Sequence, residues 1–148
     1  MIRLVAVSVI AAATLAAGAS STLASEGNLR ATLYGANEFV VNAGNKGDLD
    51  GFGSALVNLV STTKLCFAII VQGIETPISA HIHRGAAGIN GLIEVTLSPP
   101  AKGNGGTKAG CVKVSEALAL EIGRYPGNFY VNVHTGDFTA GALRGQLE

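Results

Sequence analysis

The chain has 148 residues, ten of them Lys or Arg and ten Asp or Glu, with three His and two Cys. A formal charge of zero argues against nucleic acid as a partner, because that role needs clustered positive charge against phosphate. Lys102, Lys108 and Lys113 are scattered over a loop and the strand after it, so a polybasic membrane patch is missing for the same reason.

Residues 1–24 read as a secretory signal peptide. Arg3 supplies a short positive start, residues 4–17 are apolar except for Ser8 and Thr14, and Ala17-Gly18-Ala19 and Thr22-Leu23-Ala24 are cleavage boxes. The apolar run is shorter than the roughly 20 residues a membrane span needs. Cleavage after Ala24 leaves residues 25–148 as one domain, a size that supports a real core. The product is secreted or periplasmic, with no membrane span.

The rest reads as strands punctuated by glycine. A first strand covers 29–34, a Gly, Asn and Asp loop covers 44–53, and a second strand covers 54–60. Lys64–Gln72 is the most apolar stretch, with Leu65, Phe67, Ile69 and Val71 on one side and Cys66, Ala68 and Ile70 on the other. Such a run fits a central strand buried on both faces. Pro77 precedes a strand in which Ala80 and Ile82 are apolar and His81 and His83 share the opposite side. A His-x-His pair places two imidazoles on one face about 7 Å apart along the chain. Residues 92–97 follow, with Ile93, Val95 and Leu97 expected in the core, and 99–110 read as a flexible loop.

Residues 115–123 give one helix. Ser115 caps it, Glu116 suits the positive end of its dipole, Leu118 and Ile122 form one apolar face, and Gly123 ends it. The next strand alternates Phe129, Val131 and Val133 with Tyr130, Asn132 and His134. The last strand, 142–147, puts Leu143 and Leu147 inward and Arg144 and Gln146 outward. Seven or so short strands with these turn signals predict an all-β antiparallel sandwich or barrel with one short helix.

In an oxidising compartment Cys66 and Cys111 have one intramolecular pairing open to them, and such a disulfide is worth about 4 kcal/mol in the chain-entropy model. Two buried free thiols are the alternative. No Cys-x-x-Cys or zinc-knuckle spacing occurs.

Residues 80–91, Gly110-Cys111-Val112, Tyr130-Val131-Asn132-Val133-His134-Thr135 and Gly141-Ala142-Leu143-Arg144-Gly145-Gln146-Leu147 together resemble the chordin-type (CHRD) domain. Residues 28–38, with Leu33, Gly35, Asn37 and Glu38, resemble its opening strand and acidic turn. The chain departs from the family's prolines at Phe39-Val40-Val41 and at Gly91-Leu92. The resemblance implies an immunoglobulin-like sandwich or barrel, faintly similar to copper–zinc superoxide dismutases, and an exported single-domain protein. In chordin these domains belong to a secreted antagonist of bone morphogenetic proteins. The resemblance implies no settled activity.

Function therefore rests on the polar strand faces. His81, His83, Tyr130, Asn132, His134, Arg144 and Gln146 ligate, stack or hydrogen-bond directionally, unlike the Lys, Glu and Ser of an ordinary wet face. If their strands are neighbours, they form one patch. The patch has three uses. It can be an extracellular binding surface for a protein or glycan partner. It can be structural, with the histidines bonding Asn132, Glu38 or loop carbonyls and Arg144 pairing with Glu38. Or it can be a mononuclear zinc or copper site with His81, His83 and His134 as ligands and Glu38, Tyr130, Asn132, Arg144 and Gln146 around them. A metal site should respond to a chelator and to imidazole protonation near pH 6. Three histidines are too few for a copper–zinc dismutase. No Gly-x-Ser-x-Gly elbow, carboxylate pair or nucleotide loop supports another enzyme class.

Overall fold

The computed structural model describes residues 27–38 and 47–148. The signal peptide expected over 1–24, residues 44–46 of the expected loop and the Phe39-Val40-Val41 departure lie outside the described residues. Among those described are eight strands: β1 (Asn28–Tyr34), β2 (Phe52–Ser61), β3 (Lys64–Gln72), β4 (Ser79–Arg84), β5 (Ile93–Leu97), β6 (Gly106–Lys113), β7 (Phe129–His134) and β8 (Leu143–Gln146). One α-helix, α1 (Glu116–Arg124), precedes β7.

The strands pair antiparallel in the order β5-β4-β7-β8-β1-β2-β3-β6 and curl into a nearly closed barrel or sandwich. Strand alternation decides what lies inside. In β1, Leu29, Ala31 and Leu33 are buried while their neighbours are exposed. The same alternation runs through β2 and β3, and Ile82, Val131 and Leu143 close the core from the other half. α1 starts as its sequence predicts, the Ser115 side chain accepting from Leu118 N at 3.2 Å. It lays Ile122 on the core.

Four expectations need correction. β3 is buried on one face only. Its outer face leaves Ile70 47% exposed, with Cys66 and Ala68 only partly buried. Ile93 is 52% exposed rather than in the core. A bulge between Ile82 and His83 leaves Glu94 unpaired, so Val95 faces inward beside Ile82 while Ile93 pairs with His83 on the other face. The loops at 44–53 and 99–110 are shorter than expected: Phe52 and Gly53 open β2, and 106–110 pair with 67–71 as part of β6. Finally, Gly123 lies inside α1, which runs on to Arg124.

Cys66 and Cys111 face each other directly in the β3–β6 register and are joined as a disulfide, with their Cα atoms 3.9 Å apart. The bond ties the edge strand β6 to the body of the sheet.

Candidate metal centre

β4, β7 and β8 are consecutive in the sheet, so the polar faces of the three strands do merge. His83 stands opposite Tyr130, and His81 opposite Asn132. His134 stands opposite Ser79, which makes it the diagonal neighbour of His81, a spacing aromatic side chains can bridge. Arg144 and Gln146 continue the rows beside Asn132 and Tyr130.

The patch is not a wet surface. Tyr130, Asn132 and Arg144 are 3% exposed or less. Arg144 and Gln146 lie on the non-core side as expected, but they point into the turn at 85–91 that folds over them. The Arg144 guanidinium donates to the carbonyls of Ala86 and Ile89, both at 2.9 Å, and to Asn90 Oδ1 at 3.1 Å. Gln146 Nε2 lies 2.6 Å from the Gly85 carbonyl oxygen and 2.9 Å from that of Phe129. These contacts hold the turn down over the sheet.

Backbone carbonyls orient two of the histidines, one from this turn and one from the loop after β7. His83 Nδ1 is 3.0 Å from the Gly91 carbonyl oxygen, and His134 Nδ1 is 3.0 Å from that of Thr139. A carbonyl only accepts, so both Nδ1 atoms carry the proton and both Nε2 atoms present lone pairs. His81 Nδ1 then donates to His134 Nε2 at 3.1 Å. The ring of His83 stacks on Tyr130, with centroids 4.8 Å apart and planes within 5°. Tyr130 also carries the Arg144 guanidinium 3.5 Å from its ring centroid, and its hydroxyl accepts from Gly91 N at 3.3 Å. Gly91 has to be glycine, since a Cβ there would overlap the Arg84 carbonyl oxygen.

One ligand nitrogen from each of His81, His83 and His134 falls within 4.8 Å of the others. A tetrahedral ion with metal–nitrogen bonds of about 2.05 Å needs separations near 3.3 Å. His81 and His134, 3.1 Å apart, already meet that spacing, so His83 has up to about 1.5 Å to close. His83 Nε2 is buried and has no hydrogen-bond partner among the described residues.

Electrostatics keeps the cluster neutral. Burial, reinforced by the neighbouring imidazoles of His134 and His83, pushes His81 down to about 4. Burial likewise holds His83 and His134 below the usual histidine value of 6.5. Burial therefore favours the neutral, ligating form of all three rings and moves the acid limit of the cluster below the unperturbed value.

Glu38 and Asn132 form a separate pair behind the cluster. Asn132 Nδ2 donates to Glu38 Oε1 and, at 3.3 Å, to the Leu143 carbonyl, and not to any imidazole. The expected Arg144–Glu38 ion pair does not form, because the guanidinium is taken by the 85–91 turn; it acts on Glu38 only through space. Burial pushes the Glu38 carboxyl up to about 7, against the opposing pull of Arg144 and Asn132. The backbone carbonyls of Gly91 and Thr139 are the orienting groups that residue-type reasoning could not name, since a carbonyl carries no sequence signal.

An antiparallel β-barrel or sandwich that carries a covered three-imidazole cluster on one face defines the class of protein. A family model described as the CHRD domain matches residues 29–147, and the chain belongs to that family. No curated protein and no solved structure matches it. Among the described residues no helix is long and apolar enough to cross a membrane.

Proposed function

We propose that this CHRD domain works as an extracellular module that binds one zinc or copper ion through His81, His83 and His134. CHRD domains are typically extracellular, and the Cys66–Cys111 disulfide fits an oxidising compartment. The observation that carries the metal reading is the orphaned lone pair of His83 Nε2. Buried polar atoms are rarely left unpaired, and here the neighbouring Nδ1–H is fixed by a carbonyl so that the lone pair faces two further imidazoles. A purely turn-fixing histidine needs only the Nδ1 bond. On metal entry the His81–His134 hydrogen bond gives way and the His81 proton moves to its other nitrogen. Neutral imidazoles therefore bind without net proton release.

The test is thermal unfolding of the metal-stripped protein with added zinc or copper. Binding at a hundred times the dissociation constant stabilises by about 2.7 kcal/mol, a rise of several degrees in Tm. His83→Ala should abolish the rise. An unchanged Tm for the wild type with either metal contradicts the reading.

A second reading is favoured by one observation. Tyr34, Phe52, Leu56 and Ile70, each close to half exposed, share the outer face of β1, β2 and β3, with Tyr34 opposite Phe52. Such a face suits a protein or glycan partner better than the histidine face does, since the latter is largely covered.

A further inference from the structure

The donor set of the cluster is wholly neutral: it comprises His81, His83 and His134, with no carboxylate or thiolate. The carboxylate of Glu38 is engaged by Asn132, and that of Glu94 by Arg84 at 2.7 Å. A divalent ion held there brings two positive charges to a covered face whose one buried acid, Glu38, is already set against the guanidinium of Arg144, 1% exposed and stacked on the tyrosine that carries His83. Leaving such charge uncompensated away from water costs several kcal/mol. Three protein ligands also leave a tetrahedral ion one position short.

A single anion answers both deficits. We propose that the ion bound by His81, His83 and His134 takes a small monoanion from solution as its fourth ligand. The exchange breaks one metal–water bond and forms one metal–anion bond; no electron moves. The strand at the end of the order, β5, flanks the cluster. Thr96, exposed, stands in register beside His81, and Ile93, 52% exposed, stands beside His83, so no acidic side chain occupies either position. With a hydroxyl and a sec-butyl side chain at the two flanking positions, the fitting ligand is an ion of a few atoms, of the size of azide, formate or hydrogencarbonate.

This inference rests on the metal reading above, and the experiment separates the two. The full domain is loaded with one equivalent of cobalt(II), whose visible bands report its ligands, and titrated with sodium azide at a constant ionic strength of about 0.1 M. The expected result is a saturable shift of the cobalt bands, one azide per metal, with half-saturation in the millimolar range or below. The same titration of cobalt mixed with the His83→Ala protein should show only the weak azide response of free cobalt. A stoichiometric cobalt protein whose spectrum azide leaves unchanged overturns the anion proposal and leaves the metal site standing. Failure of cobalt, zinc and copper alike to bind overturns the metal reading and the anion proposal with it.

Discussion

His83 Nδ1 lies 3.0 Å from the carbonyl oxygen of Gly91, eight residues away across the turn between β4 and β5. That one bond links backbone geometry to ligand chemistry: it fixes the tautomer, and the tautomer decides which nitrogen faces His81 and His134.

Gly91→Ala should therefore weaken metal binding without touching a ligand. The new Cβ would collide with the Arg84 carbonyl and push the orienting oxygen off the His83 ring. Loss of such an outer partner typically costs 10- to 100-fold in metal affinity, so a drop of about that size is expected in a competition titration. An affinity within threefold of wild type would show that His83 is not held by this bond.

Arg144→Leu should destabilise the fold by about 1–3 kcal/mol, because the carbonyls of Ala86 and Ile89 and the Asn90 amide lose their donor under a closed turn. Urea unfolding measures the loss. Hydrogen exchange should place it at residues 85–91 first, and uniform loss of protection across the sheet would contradict the clamp role.

Glu38→Gln should change the pH dependence of stability in a defined direction. The folded protein holds this carboxyl near 7, raised from 4.5 by burial. Stability from the buried neutral acid is fully present below pH 4.5 and is lost as pH rises through 7. The glutamine variant loses nothing over that window, so relative to wild type it should gain up to about 3 kcal/mol between pH 4.5 and pH 8. A pH-independent difference between the two proteins would rule out a buried neutral Glu38.

Replacing Cys66 and Cys111 together by serine should cost about 2–4 kcal/mol of stability. Metal affinity should stay within about threefold, since separated sites without shared partners rarely couple by more than a few tenths of a kcal/mol. The bond joins β3 to β6, whereas the cluster sits on β4 and β7 in the other half of the strand order. Loss of metal binding in a folded double variant would place the disulfide in the site.

Strand alternation made most of the fold readable. Lys64–Gln72 announces itself as β3, and the Ser115 cap marks the start of α1. What alternation misses is a change of phase. The bulge at Glu94 sends Ile93 outward, and no residue type at 92–95 signals it. The first part of β6, 106–110, with glycine at both ends, reads as loop because its pairing with β3, and not its own propensity, makes it a strand. In the site, the three histidines were legible from the His-x-His spacing and its echo at His134. The burial of Arg144 was not, because a side chain on the non-core face looks solvated until the turn at 85–91 closes over it. The resemblance carried by 80–91 and 141–147 reflects that same structure, the turn in the first segment and its clamp in the second.

Metal content of the protein purified from its own host, beside a His81→Ala/His83→Ala double variant, tests the central claim most directly. About one zinc or copper per wild-type chain, removed by a chelator and absent from a double variant that still folds, is the predicted result. Metal-free wild-type protein that also fails to take up zinc or copper when offered either would contradict it, and the three histidines would then be turn-fixing structure alone.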